Sequence, residues 1–154
     1  MTQDLKMTED KLSPSERLKL PHQRMPEQAA ETRRANFKEV NLGFDEELAR
    51  KEAQRCLSCA NAKCIHGCPV GVKIRDFVKL IMEGNYLAAA AKVREDNVLP
   101  AITGRVCPQE EQCEGSCVLG KRGESLGIGY LERFVADYEM KKKKNGLPEN
   151  AAPT

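Results

Sequence analysis

RCLSCANAKCIHGCPV (residues 55–70) sets four cysteines in the order Cys56-x2-Cys59-x4-Cys64-x3-Cys68, with Pro69 directly after the last. A return stretch, VCPQEEQCEGSC (residues 106–117), adds Cys107-Pro108-x4-Cys113-x3-Cys117. These seven are all the cysteines of the 154-residue chain. Two such groups bring several thiolates into one small volume, the geometry that iron–sulfur clusters require. Seven is also one fewer than the eight ligands that two four-iron clusters would take.

Composition narrows the class around that core. Hydrophobic residues make up 40% and charged residues 31%, with four Phe, three Tyr and no Trp. Most of residues 1–35 is polar, so the rest can build only a modest apolar core, and metal cross-links would supplement it. A net charge of +2 gives no reason to expect nucleic acid or a membrane as partner. No apolar run approaches the ~20 residues that span a bilayer. MTQDLKMTEDKLSPSERLKL lacks the apolar stretch and cleavage site of a signal peptide, which predicts a cytoplasmic chain. Thiols kept reduced there serve as metal ligands rather than disulfides.

The pattern along the chain predicts an all-α fold. Residues 1–25 carry Pro14 and Pro21, show no clear periodicity, and read as a flexible lead-in or a strap over a partner surface. Pro26 followed by EQAAETRRANF suits a first helix. Asp45 is placed to cap a helix running to about Arg55, with Glu46 and Glu47 in its first turn, and this helix delivers Cys56. Ile74, Phe77, Val78 and Ile81 form the i, i+3, i+4, i+7 stripe of another helix, stopped by Gly84. Asn85 is placed to cap the alanine-rich YLAAAAKVRED. Pro100 and Gly104 argue against regular structure in NVLPAITGRV, and a short helix is expected at QEEQCEGSC. A last helix runs from about Ile128 to Lys143, ended by Asn145-Gly146 and Pro148. Residues 146–154 read as a linker. Gly127-Ile128-Gly129 is no dinucleotide fingerprint, because it follows no predicted strand and Glu132 stands where the third glycine would be.

Ligand chemistry favours iron and sulfide. Thiolates suit the soft four-iron core better than imidazole or carboxylate. In bacterial ferredoxins three close cysteines hold one cluster and the fourth, before proline, reaches the other. By that logic Cys56, Cys59 and Cys64 share one cluster and Cys68 crosses to a second, while the return group divides two to one. Gly67, Gly71, Gly104 and Gly115 flank these ligands, where close-lying backbone amides can hydrogen-bond sulfur. Structural zinc is the alternative, with His66 joining the thiolates, although only one CxxC is present and the other spacings are unlike a zinc finger.

EAQRCLSCANAKCIHGCPV, LPAITGRVCPQEEQCEGSCVLGKRG and IGYLERFVADYE together resemble the N-terminal cluster domain of the glutamate synthase small chain. Similar domains occur in the NADH-dependent ferredoxin:NADP oxidoreductase large subunit and in dihydropyrimidine dehydrogenase. The resemblance covers about residues 26–145 and departs at Ser125-Leu126, where a Pro-Val pair is usual. It implies an α-helical ferredoxin-like domain with two [4Fe-4S] clusters. Cys56, Cys59, Cys64 and Cys117 would hold one. Cys68, Cys107 and Cys113 would hold the other, completed by an oxygen ligand from the LERF segment, here Glu132. It further implies an NADPH-dependent oxidoreductase of glutamate biosynthesis, with FAD and NADPH in a downstream domain absent from this chain and the glutamate synthase large chain as partner. The isolated domain is expected to transfer electrons without turning over substrate.

Helical geometry bears on Glu132 independently. At about 100° per residue it lies roughly 40° past Ile128, at the edge of the apolar arc of Ile128, Leu131, Phe134, Val135 and Tyr138. Arg133 lies about 100° further round, facing away from the arc. A carboxylate beside an apolar stripe is costly to desolvate unless it is paired or bound to metal. A different class of function is a non-redox interaction module glued by metal, with the polar lead-in and the basic Lys141–Lys144 as contact surfaces. A lysine run at a helix end is also simply favourable to the helix dipole.

Overall fold

Residues 12–146 are described in a computed structural model of the chain; residues 1–11, and 147–154 of the expected linker, lie outside them. Helices dominate: α1 (Pro14–Arg17), α2 (Ala30–Arg33), α3 (Glu46–Gln54), α4 (Lys63–Gly67), α5 (Ile74–Met82), α6 (Tyr86–Arg94), α7 (Pro100–Val106) and α8 (Ile128–Gly146). Two 3-10 turns, Gln109–Glu111 and Val118–Lys121, complete them. Among the described residues the only bridge is a single antiparallel one, Glu27 to Asn41, so the fold is all-α as predicted.

Local chemistry sets the main boundaries. Asp45 caps α3, its Oδ1 accepting from the Leu48 amide at 2.8 Å. Ile74, Phe77, Val78 and Ile81 are all buried on α5, which ends before Gly84 at φ +76°. Asn85 does stand at the start of α6, but its side chain makes no capping bond. The core lies between α3, α5, α6 and α8, around Phe77, Ile81, Val93, Leu131 and Val135. Tyr86 packs edge-on against Phe134 with ring centroids 5.1 Å apart.

Several places differ from the reading of the sequence; of the short helix expected at QEEQCEGSC only the 3-10 turn Gln109–Glu111 forms. The helix expected from Pro26 is only the single turn α2, because the preceding backbone pairs elsewhere: Gln28 N donates to Val40 O and Leu42 N to Pro26 O. NVLPAITGRV, expected without regular structure, contains α7. Pro100 takes the first helical position, where a missing N–H costs nothing. Gly104 faces α8 so closely that a Cβ would lie 2.7 Å from Arg133 N, which makes its glycine a packing requirement rather than a helix breaker. Arg133 points away from the apolar arc yet is buried, under the 26–42 loop. Its Nη2 donates to Asn41 O at 2.8 Å and pairs with Glu39 at 3.1 Å.

The lead-in, expected to be flexible or to strap a partner surface, instead lies along the chain's own α3 over residues 12–25. Arg17 Nη1 donates to Gln54 O at 2.7 Å and Cys56 O at 3.3 Å. Fully buried Glu52 gathers the next part: its Oε1 accepts from Arg55 Nη1 at 2.6 Å and Gly127 N at 2.8 Å, and its Oε2 from Gln23 N at 2.8 Å. This carboxylate therefore ties the strap, α3 and the entry to α8 together.

Candidate iron–sulfur site

Helix ends deliver the thiols. Cys56 follows α3, its amide donating to Ala53 O at 3.0 Å. Cys64 sits in α4 and Cys68 caps its C-terminus, while Cys107 does the same for α7. Cys117 opens the second 3-10 turn. Gly67 brings the two groups together: a Cβ there would collide with Ser116 and come within 2.6 Å of Gln112 O. At Gly67 and Gly104 a close approach between segments of protein itself requires glycine.

Two neighbourhoods result. Cys56, Cys59, Cys64 and Cys117 line one cavity with Leu57, Ile74, Leu119 and Ile128, and Lys63 and Arg75 stand at its wall. Burial pushes the Cys64 thiol up to about 11, and the charges of Cys117, Cys56 and Cys59 push the same way. Cys56 is raised likewise, mainly by burial, with Cys117 and Cys59 adding to it. The Ser58 amide offsets part of that by hydrogen-bonding the Cys56 sulfur. Ser58 adopts φ +50°, a left-handed conformation uncommon for a side-chain-bearing residue, inside the Cys56–Cys59 turn.

Cys68, Cys107, Cys113 and Glu132 form the second neighbourhood. Burial raises the Cys107 thiol, and the charges of Glu132 and Cys68 act with it. Cys113 is pushed to about 12 by burial, then by Glu114, Cys68 and Glu132. Glu132 itself is buried, and its carboxyl is raised by desolvation against the lowering effect of hydrogen bonds from Thr103 and Asn97. Glu114, next to Cys113, accepts from Gly129 N at 2.9 Å and so caps α8 from the cysteine loop. Asn97, Thr103 and Glu114 had no signal in the sequence spacing. His66 is exposed, beside Lys63 and Lys121 in an open groove.

Among the described residues, no three His, Cys, Asp or Glu side chains converge closely enough to share one metal ion. A single zinc holds each sulfur about 2.3 Å from one point. Cluster thiolates each take a different iron and stand further apart. Amide donors on buried sulfur and cationic residues at the cavity wall fit the donor set of a cluster.

Comparison with known proteins agrees. The family described as dihydropyrimidine dehydrogenase domain II, 4Fe-4S cluster, matches residues 33–144. The chain belongs to this family of 4Fe-4S domains. It is 40% identical over 117 residues to the glutamate synthase [NADPH] small chain of Escherichia coli, which covers 75% of this chain and 25% of that protein. The corresponding small chain of Halomonas elongata is 39% identical over 108 residues, 70% of this chain and 23% of the relative. The NAD-dependent dihydropyrimidine dehydrogenase subunit PreT of Escherichia coli is 39% identical over 102 residues, 66% of this chain and 25% of the relative. This 4Fe-4S domain thus spans about a quarter of the length of these relatives. No described helix is long and apolar enough to cross a membrane.

Proposed function

We propose that residues 26–145 form a two-cluster electron relay within an NADPH-dependent oxidoreductase of the glutamate synthase small-chain type. Cys56, Cys59, Cys64 and Cys117 hold one [4Fe-4S] cluster; Cys68, Cys107, Cys113 and Glu132 hold the other. The observation supporting this reading is that Cys56, Cys59, Cys64 and Cys117, from segments far apart in the chain, line one cavity. Cys107 and Cys113 each lie within reach of the charges of Cys68 and Glu132. When bound, the clusters supply one-electron chemistry. The protein's part is to exclude water with Ile74, Leu119 and Ile128, to offset negative charge with Arg17, Lys63 and Arg75, and to aim amides at sulfur. Electrons would pass between an FAD/NADPH domain and a partner catalytic subunit, where glutamine and 2-oxoglutarate give glutamate.

Anaerobic purification with iron and sulfide analysis tests the relay. Two clusters require about eight irons per chain and an absorbance bleached by reductant. One or two zinc ions and no colour would replace the relay with a metal-stabilised interaction module. The branch is tested in the full-length protein with its large chain. NADPH-driven turnover of glutamine and 2-oxoglutarate supports the glutamate synthase reading, and turnover of a pyrimidine instead supports the dehydrogenase branch.

A further inference from the structure

We propose that Asn97 and Thr103 are positioning residues for Glu132, holding its Oε1 so that Oε2 is the oxygen offered to iron. The inference rests on the reading of Glu132 as the eighth ligand. Glu132 is buried, and among the described residues no cation compensates it. Its partners are two neutral donors on one oxygen: Thr103 Oγ1 at 2.5 Å and Asn97 Nδ2 at 2.8 Å. Oε2 accepts no hydrogen bond from a described residue, and the charge of Glu132 reaches Cys107 and Cys113.

Counting protons shows how tightly Oε1 is held. Asn97 Nδ2 carries two, one given to Thr103 Oγ1 at 2.7 Å and the other to Glu132. Asn97 Oδ1 accepts from Leu99 N at 3.0 Å, which fixes the orientation of the amide. Thr103 has a single hydroxyl proton and two candidate acceptors, Glu132 Oε1 at 2.5 Å and Leu99 O at 3.1 Å. The shorter bond, to a carboxylate, is the stronger and takes the proton. Thr103 also accepts the Cys107 amide on its carbonyl at 3.1 Å, so one residue touches two donors of the same neighbourhood. Outer donors of this kind orient a ligand, and they favour the reduced, more negative state of the metal by withdrawing charge.

The test uses anaerobically loaded protein, with EPR-monitored redox titration and the rate of iron release to a chelator. Thr103→Val and Asn97→Leu each remove a donor while keeping shape, and Thr103→Ser keeps the hydroxyl. Expected for Val and Leu is about a tenfold less favourable reduction of the Glu132-side cluster, which is about 60 mV more negative. Half of the iron should also leave about 10–100-fold faster. The Cys56-side cluster should stay unchanged, and Thr103→Ser should behave as the parent. Unchanged potential and release in both Val and Leu variants, while Glu132→Ala loses half the iron, overturns the positioning role. Equal shifts at both clusters mean general loosening and overturn it too. Full iron in Glu132→Ala with both potentials intact would instead remove the ligand reading beneath it.

Discussion

A methyl group added at Gly104 would press on Arg133 N, Cα and Cβ, at 2.7, 2.9 and 3.0 Å. Helix propensity favours alanine over glycine by about 1 kcal/mol. Overpacking costs about 1–3 kcal/mol or more, and here the obstacle is main chain of α8, which cannot swing aside like a side chain. The clash wins: Gly104→Ala should lower stability by about 1–2 kcal/mol in denaturant unfolding, and an unchanged midpoint would refute the tight crossing. At Glu52 the effect is electrostatic. Glu52→Ala leaves the buried Arg55 guanidinium with no anionic partner, only the His22 ring nitrogen and the carbonyls of Leu20, Glu124 and Ser125. Breaking one side of a buried pair costs about 3–5 kcal/mol. The same change frees the Gln23 amide, so limited proteolysis should cut within residues 12–25 before any other described segment. Parent-like resistance would show that the strap is held by other contacts.

Two helix starts that look alike in sequence separate at the scale of elements. Asp45 accepts from Leu48 N, whereas Asn85 makes no capping bond. Asp45→Ala should therefore cost about 1 kcal/mol, and Asn85→Ala should stay within about 0.5 kcal/mol; equal losses in thermal melts would contradict the difference. Where the deciding interaction is local, the sequence was readable. The α5 stripe, the Asp45 cap and the span of α8 all follow from neighbours within a turn or two, and so did the two cysteine groups. Elements decided by distant partners were not readable. The segment after Pro26 is drawn out of helix by Val40 and Leu42. Helix α7 forms because Gly104 meets α8, and Arg133 is buried because the 26–42 loop covers it. The candidate site divides the same way. Its cysteines and Glu132 stand in motifs, but Asn97 and Thr103 reach Glu132 across 35 and 29 residues, and Glu114 reaches α8 across 15. Such contacts leave no periodicity to detect.

The molecule as a whole is held together in two different ways. The α3, α5, α6 and α8 half has an apolar core of large side chains, including Phe77, Ile81, Leu131 and Phe134. Residues 56–71 and 107–125 contribute only Ala62, Cys113 and Leu119 to the buried hydrophobic set, and carry one short helix and two 3-10 turns. Fixing a residue's backbone costs about 1–2 kcal/mol, and so few buried groups cannot offset that over these two segments. Metal–thiolate bonds can, so metal binding there is folding free energy. On the proposed two-cluster reading, removing the clusters should not drive the cysteine half apart by repulsion, because burial raises the Cys56, Cys64, Cys107 and Cys113 thiols and favours their neutral form. What is lost is cross-linking. Anaerobic chelation should therefore abolish amide-exchange protection in residues 56–71 and 107–125 while α5, α6 and the buried turns of α8 keep theirs, and far-UV helicity should fall only modestly. Uniform loss of protection across all helices would show instead that the two halves unfold as one unit, and that the apolar core depends on the clusters as much as the loops do.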